Sequence, residues 1–270
     1  MFTLSVAFKF FTSKKTQTLL ILFGFGVGIA VNLFVGSLIQ SLQDDLIQKT
    51  VGNQPHVSIL PGENKTYVEN WNNIKPMLDN RDDLEIYSAS LDGRAFITNI
   101  SPNSPSDIIM RGVDLDQANG IYNLFNSKTY YGEKPGTGEV TIGLDLALEL
   151  GVNVSDELVI KSDPRPFASN HTMKIAGIFD LGVTNLNLLW VFSPLSGAET
   201  VLNVTGEYTG IYMQVKDIFA ADTIATELEA TINNENVVVT NWKDTNESLL
   251  KGLQTQSSST STYRFLSCCP

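Results

Sequence analysis

The sequence predicts an α+β protein that consists of one N-terminal transmembrane helix followed by an extracytoplasmic domain of mixed strands and helices. Three observations support this fold class. A run of 21 uncharged residues lies near the N-terminus. Basic residues precede that run and acidic residues follow it, and strand and helix patterns alternate over the rest of the chain.

The uncharged run, residues 19–39, is long enough to cross a membrane. As a helix rising about 1.5 Å per residue it spans roughly 30 Å, the thickness of the hydrocarbon core. A cleaved signal peptide is the alternative, but its apolar region is usually only about 7–15 residues and ends at a small-residue cleavage site. The sequence that follows here, SLIQSLQDDLIQKT, has no such site. We therefore predict a retained transmembrane helix over residues 18–42, extended by an amphipathic stalk over 41–49 that stops near Gly52.

The charges around this helix predict its orientation. Lys9, Lys14 and Lys15 precede it, no acid occurs among the first 43 residues, and Asp44 and Asp45 follow. Because basic flanks stay in the cytoplasm, residues 1–17 are predicted to be a cytoplasmic amphipathic segment at the plasma membrane. The core domain, residues 43–254, then lies outside.

A stripe of small and polar residues recurs every four positions within the helix, at Gly24, Gly28, Asn32 and Gly36. Small residues allow another backbone to approach closely, and a mid-membrane amide favours a hydrogen-bond partner. The stripe is therefore the candidate helix-packing site, and an anchor surrounded only by lipid would have no use for it.

Composition excludes several functions for the outer part. Beyond residue 43 the chain carries 15 basic and 29 acidic residues. An acidic surface argues against nucleic acid and anionic headgroups as partners. The adjacent Cys268 and Cys269 form no disulfide framework, and His56 and His171 lack the spacing of metal ligands.

Residues 132–138, GEKPGTG, are glycine-rich but lack the Lys-Ser/Thr pair of a phosphate loop, and Glu139 stands in its place. No paired carboxylates and no Ser-His-Asp set occur in a catalytic context. The sequence thus predicts no enzyme activity, no metal and no cofactor. Six Asn-x-Ser/Thr sequons, all on the predicted outer side, are candidate glycosylation sites: Asn64, Asn99, Asn153, Asn170, Asn203 and Asn246.

Periodicity and turn residues predict the elements of the domain in order. The first part reads β-α-β-β, with a strand at 56–60, a helix at 68–78, a strand at 86–97 that is interrupted at Asp92-Gly93, and a strand at 108–113. The middle part has strands at 140–142, 157–161, 173–179 and 188–192, the last two apolar enough to be central, and a helix at 144–150. The last part has helices at 196–202, 218–232 and 246–253 and strands at 210–215 and 237–241. Residues 255–270 form a polar tail.

Several segments in this order resemble one known family, the permease subunits of ABC transporters of the MacB, FtsX and lipoprotein-releasing LolC/LolE type. The N-terminal segment VAFKFFTSKKTQTLLILFGFGVGIAVN looks like the start of these permeases. GEVTIGLDLALELGVNVSDELVI, MKIAGIFDLGVTNLN and YTGIYMQVKDIFAADTIATELEA are similar to the motifs of their outer domain, although Ser155 replaces a usual Gly. Trp242 and Asn246 stand where the family has a Trp and an Asn before its second membrane helix.

The resemblance implies a two-lobed outer domain. One β-α-β lobe is built from about residues 50–115 and 203–245, and a strand-rich lobe of about 116–202 is inserted in it. It also implies a partnership with a cytoplasmic ATP-binding subunit, which hydrolyses ATP, and with a second permease subunit. The outer domain would engage a lipophilic or protein substrate and transmit motion. The family's further membrane helices are absent from this sequence. We therefore predict that the sequence is truncated within the polar tail, residues 255–270, before a second membrane helix.

Two other classes stay open at this point. The extracellular sensor domain of a receptor also places an α/β domain next to a membrane helix. A single-anchor, glycosylated surface protein is the third alternative.

Overall fold

A computed structural model describes residues 15–51, 54–100, 105–163, 165 and 169–246. The predicted cytoplasmic segment up to residue 14, the polar tail and most of the predicted helix at 246–253 lie outside these residues. Residues 50–246 form a compact unit of their own.

The first element is a single long helix, α1 (Lys15–Val51). Its segment Thr16–Leu38 is long and apolar enough to cross a membrane. Among the described residues, Leu20, Phe23 and Phe25 of that segment are each at least 70% exposed. The predicted stalk is confirmed as helical, because α1 continues to Val51 without a break.

The domain that follows α1 contains ten strands and seven further helices among the described residues. In chain order they are β1 (Val57–Pro61), α2 (Trp71–Asp79), β2 (Leu84–Ile97), β3 (Ser106–Val113), α3 (Leu115–Tyr122), β4 (Tyr130–Gly132), β5 (Glu139–Gly143), α4 (Leu144–Leu150), β6 (Glu157–Lys161), β7 (His171–Phe179), α5 (Thr184–Leu189), β8 (Trp190–Pro194), α6 (Leu195–Leu202), β9 (Gly210–Val215), α7 (Ala221–Ile232), β10 (Val237–Asn241) and α8 (Trp242–Thr245). A 3₁₀ turn, Ile218–Ala220, precedes α7.

The ten strands form one sheet, in which nine strands make up two parts and β4 pairs with β7 at the edge. In the first part, the open sheet, the strand order is β10-β1-β9-β2 and every pairing is antiparallel. In the second part, the strand ring, six strands pair in the closed order β2-β3-β8-β5-β7-β6 and back to β2. The long strand β2 belongs to both parts.

The strand ring encloses the larger core. Alternate side chains of all six strands point inward, as the period of two along a strand requires. This core contains Leu91, Ala95, Ile97, Ile108, Met110, Val140, Ile142, Leu158, Ile160, Met173, Ile175 and Val191. Helix α6 packs against β2, β3, β6 and β8, while α4 and α5 pack against β5.

A second core lies beneath α3, on the face of the strands opposite the first core. Asp114 caps the start of α3 by accepting hydrogen bonds from the backbone of Asp116 and Gln117. Helix α3 packs against β2 and β9 and buries Ile121 and Tyr122. Phe179 and Phe192 complete this core from β7 and β8.

The predicted fold class, an N-terminal apolar helix followed by a mixed domain with a large sheet, is confirmed. Two of the predicted elements are wrong. The strand predicted to be interrupted at Asp92-Gly93 is continuous. Gly93 does not form a turn, and its missing side chain leaves space for α6. A Cβ there would lie 2.6 Å from Leu202 Cδ1 of α6. In the predicted strand 188–192, Leu188 and Leu189 end α5, and the strand begins only at Trp190.

Three helices, α3, α5 and α8, and one strand, β4, were not predicted. The helices predicted at 68–78 and 218–232 begin later, at Trp71 and Ala221. The division into lobes at 50–115, 116–202 and 203–245 stays a prediction.

Candidate functional site

The helix-packing stripe lies on α1, and no described atom lies close to two of its glycines. A Cβ placed on Gly24 or Gly28 would meet no atom within 4 Å among the described residues. Asn32 lies on an exposed part of the helix and Gly36 on a half-exposed part. Room for a neighbouring backbone therefore exists at these positions, and the packing role of the stripe stays a prediction.

The six sequons differ in how accessible their asparagines are. Five of them are exposed: Asn64, Asn99, Asn153, Asn170 and Asn203. Asn246 is half-buried, and its Nδ2 donates a hydrogen bond of 2.9 Å to the Trp242 carbonyl. The Nδ2 of Asn99 is also engaged, 2.9 Å from the Glu157 carbonyl. At both positions the side-chain amide that would carry a glycan already donates a hydrogen bond within the fold.

A buried ion pair at the junction of the open sheet and the strand ring is the most unusual polar feature of the domain. Arg111 of β3 and Asp92 of β2 are direct cross-strand partners. Arg111 Nε lies 3.1 Å from Asp92 Oδ1, and Nη2 lies 2.9 Å from Oδ2. The Arg111 side chain is only 4% exposed and that of Asp92 is 18% exposed.

Asp92 is held by three further groups besides Arg111. The Tyr212 hydroxyl donates to Asp92 Oδ2 over 3.0 Å, and Ser90 Oγ donates to Oδ1. The backbone N–H of Asp92 donates to Thr209 Oγ1 over 2.6 Å. Because Tyr212 belongs to β9, these bonds tie the open sheet to the strand ring.

Four aromatic rings enclose the guanidinium. The Arg111 Cζ lies 4.2 Å from the ring centre of Trp190, 5.0 Å from that of Tyr212, 5.1 Å from that of Tyr122 and 5.5 Å from that of Phe192. Aromatic faces attract a cation, and the attraction is greater where water is excluded. We call these four rings with Arg111 and Asp92 the Arg111 cluster. Its members come from β2, β3, α3, β8 and β9.

The electrostatics of the Arg111 cluster favour a fixed charge pair rather than proton transfer. Burial raises the pKa of Tyr122 to about 12. Burial, and then the charge of Asp92, raise the pKa of Tyr212 as well. Arginine stays protonated in proteins, so at neutral pH none of these three groups exchanges a proton. The Nη1 atom of Arg111 is buried without a hydrogen-bond partner among the described residues.

A second buried polar residue, His56, lies where the domain begins and ends. Its Nδ1 accepts a hydrogen bond of 3.1 Å from the backbone N–H of Val215. Its carbonyl accepts one of 2.9 Å from the Trp242 N–H, just after β10. Burial lowers the pKa of His56, and the Val215 carbonyl and Glu85 only partly offset this effect. His56 thus ties the start of β1 to the end of β9 and to the residue that follows β10.

The described residues contain no group of three His, Cys, Asp or Glu side chains that could hold a metal ion. Sequence reasoning missed the Arg111 cluster because it read Asp92-Gly93 as a turn. One signal could have located it, namely the lone basic residue in the apolar strand IIMRGV. Such a residue in a buried strand requires a buried acid as its partner.

Comparison with known proteins shows that this chain is similar to membrane permeases. No sequence profile of a protein family matches the chain. The lipoprotein-releasing system transmembrane protein LolC from Xylella fastidiosa strain Temecula1 is 24% identical over 127 residues, which cover 45% of this chain and 30% of LolC. LolC from strain 9a5c of the same organism is 25% identical over the same length. The match therefore spans less than a third of these curated relatives.

Among solved structures, the periplasmic region of MacB from Actinobacillus actinomycetemcomitans superposes with a TM-score of 0.51 at 11% identity, and the match covers 76% of this chain and 95% of that region. The extracellular domain of the noncanonic ABC-type transporter YknZ from Gram-positive bacteria gives a TM-score of 0.47 at 13% identity, covering 68% of this chain and 99% of that domain.

The fold is therefore that of the periplasmic region of MacB. Together with the LolC matches, it supports the class expected from the sequence, the extracytoplasmic domain of an ABC-transporter permease.

Proposed function

We propose that this chain is a membrane-anchored permease subunit of an ABC transporter. Its outer domain engages a substrate or partner and transmits motion that a cytoplasmic ATP-binding subunit drives. The observation that carries the proposal is a MacB-like fold that follows a helix of membrane-spanning length and composition. In this proposal the N-terminus is cytoplasmic, ATP is hydrolysed on the other subunit, and a second permease subunit completes the transporter.

The positions of the domain's two ends support this arrangement. Strand β1 begins beside the end of β10, with Val57 paired to Asn241. The Trp242 N–H also donates to the His56 carbonyl over 2.9 Å. A domain whose ends lie side by side can be inserted between two membrane helices without distortion. Movements of both membrane helices would then act on the domain at the same place.

The strand pairing supports a role in transmitting motion. Strand β2 has 14 residues and runs from the open sheet into the strand ring, a length of about 46 Å at 3.3 Å per residue. Bonds of the Arg111 cluster fix the strands on either side of β2 at the junction. A force applied to the open sheet would therefore reach the ring through continuous backbone and a buried ion pair.

For the substrate we propose a chemical class rather than one compound. The curated relatives are named for lipoprotein release. We propose a lipophilic or protein substrate for this chain, such as a lipoprotein, lipid, peptide or drug, or else a cell-wall enzyme that the domain controls.

Co-purification tests the proposal. The chain is tagged at its own locus and extracted from membranes in a mild detergent, and its partners are identified by mass spectrometry. We expect a protein with a Gly-Lys-Ser/Thr phosphate loop in stoichiometric amount, together with a second permease. Recovery of the intact chain without any ATP-binding protein would contradict the proposal, and recovery with a signalling kinase would favour the receptor alternative.

A further inference from the structure

A groove lies between the first half of β3 and the end of α5. Strands β3 and β8 pair in parallel only from Ile109 and Trp190 onward, because the chain before Trp190 is helical. On this side of β3 no strand lies beside Ser106–Ile108 within the part of the chain that the structure describes. No described strand therefore pairs with this edge of β3 over the stretch, and we call it the open edge of β3.

The groove has two adjoining compartments that share Asp107 and Leu189. The first encloses about 480 Å³, and its apolar lining is Ile100, Pro105, Leu146, Leu150 and Leu188. The second encloses about 470 Å³ above Gly93, Ile108 and Ile109. Ile100 and Leu189 are each 39% exposed, so apolar side chains face solvent in the groove. We call both compartments together the β3-edge groove.

The β3-edge groove has more negative than positive charges along its lining. Asp107 pairs with Arg94 over 2.8 Å. Asp92, at the inner end, pairs with Arg111. Glu149, which lines the first compartment, forms no ion pair with any residue that the structure describes. One uncompensated negative charge thus borders an apolar groove, and it attracts an occupant that carries a positive charge.

We propose that the β3-edge groove binds an extended peptide segment of a partner protein, which adds as a strand to the open edge of β3. Alternate apolar side chains fill the compartments and one Lys or Arg pairs with Glu149. A peptide fits better than an acyl chain, because its N–H and C=O groups pair with the open edge, whereas an acyl chain would leave them unsatisfied. This site is independent of the proposed transport function.

Peptide binding to the full chain in lipid nanodiscs tests the inference. The probes are three dye-labelled hexapeptides that alternate Leu, Val or Phe with Thr around a central Lys. Fluorescence anisotropy should show saturable binding by at least one of them. N-methylation of alternate backbone amides should weaken this binding by about tenfold or more, since it removes the strand's hydrogen bonds. Empty nanodiscs correct for binding to lipid.

Matched variants of the chain locate the site. Leu189→Lys and Glu149→Lys should each weaken binding of the Lys peptide, while Leu148→Lys should not, because Leu148 is 70% exposed on α4 outside the groove. A probe with Glu in place of Lys should bind Glu149→Lys better than the parent chain. The inference is overturned by no saturable binding up to about 1 mM, by equal binding of the N-methylated probe, or by equal losses in Leu148→Lys and Leu189→Lys. Circular dichroism of each variant verifies that it is folded.

Discussion

At the scale of single residues, the domain at 50–246 contains polar groups that are buried beside their partners. Arg111 is almost fully buried, and its charge is tolerated because Asp92 and four aromatic rings surround it. An exposed pair on the same two strands, Arg94 and Asp107, has a similar distance of 2.8 Å but lies in water. Burial, rather than distance, should decide how much each pair stabilises the fold.

We expect Asp92→Asn to lower the free energy of unfolding by about 3–5 kcal/mol, because it leaves the buried Arg111 charge uncompensated. The matched change Asp107→Asn at the exposed pair should cost only about 0–1 kcal/mol. Urea denaturation followed by tryptophan fluorescence measures both. The double variant Arg111→Met/Asp92→Asn should be more stable than Asp92→Asn alone. Equal losses from Asp92→Asn and Asp107→Asn would show that the Arg111 cluster does not stabilise the junction.

His56 should make stability depend on pH. Its pKa in the folded chain lies below the ordinary value of 6.5, so below that pH the unfolded chain binds more protons than the folded one. The protonated ring also cannot accept the Val215 hydrogen bond. The free energy of unfolding should therefore be fully retained above pH 6.5 and fall below it, by at most about 1.4 kcal/mol per pH unit.

His56→Gln is the variant that isolates this effect. Its free energy of unfolding should fall less steeply than that of the parent chain between pH 6.5 and 5, as measured by urea denaturation across that interval. Parallel curves for the two proteins would assign the pH dependence to other groups.

At the scale of elements, glycines fix how closely helices pack on the strand ring. At Gly143, between β5 and α4, a Cβ would lie 2.1 Å from the backbone oxygen of Asn187 in α5. At Gly112 of β3, a Cβ would lie 2.4 Å from the Cβ of Ala198 in α6. Both contacts are too short for any side chain, so the helices must move if one is added.

Gly143→Ala should lower the free energy of unfolding by about 1–3 kcal/mol, because the backbone of α5 cannot yield as a side-chain tip can. Gly136→Ala is the control, since its Cβ would meet only Glu139 Oε2 at 3.4 Å. Thermal unfolding of both variants compares them. A Gly143→Ala protein as stable as Gly136→Ala would mean that α5 is not held against β5 as described.

The sequence predicts an element well where a local residue pattern determines it. It predicts an element poorly where contacts with residues distant in sequence determine it. β1, β7, β9 and β10 were located by apolar alternation and turn residues, which are local signals. Asp92-Gly93 carries an ordinary turn signal, yet Arg111 and Leu202, both distant in sequence, keep it within a strand. The β3-edge groove could not be predicted, because it depends on where β8 stops pairing with β3.

The glycine stripe of α1 allows a test of whether this helix packs against another. Gly28→Leu should abolish co-purification with the permease partner while membrane insertion is unchanged, because a leucine holds a partner backbone away from the crossing point. Leu33→Phe, off the stripe, should be far milder. If the two variants behaved alike, α1 would be only an anchor, and the single-anchor surface protein would become the better account.

At the scale of the whole molecule, the chain consists of a helix of membrane-spanning length and an acidic domain with a MacB-like fold. Three lysines and no acids among the first 43 residues predict that the N-terminus is cytoplasmic. The coupling of an outer domain to an inner ATPase requires this orientation. The proposed engagement of an outer substrate depends on it.

Two-sided cysteine labelling in intact cells tests this central claim most directly. In a background with Cys268→Ser and Cys269→Ser, a single cysteine is introduced by Ser13→Cys or, at an exposed position of α6, by Ser196→Cys. An impermeant thiol reagent should label Ser196→Cys at once and Ser13→Cys only after the membrane is permeabilised. Labelling of Ser13→Cys in intact cells, with Ser196→Cys protected, would contradict the account.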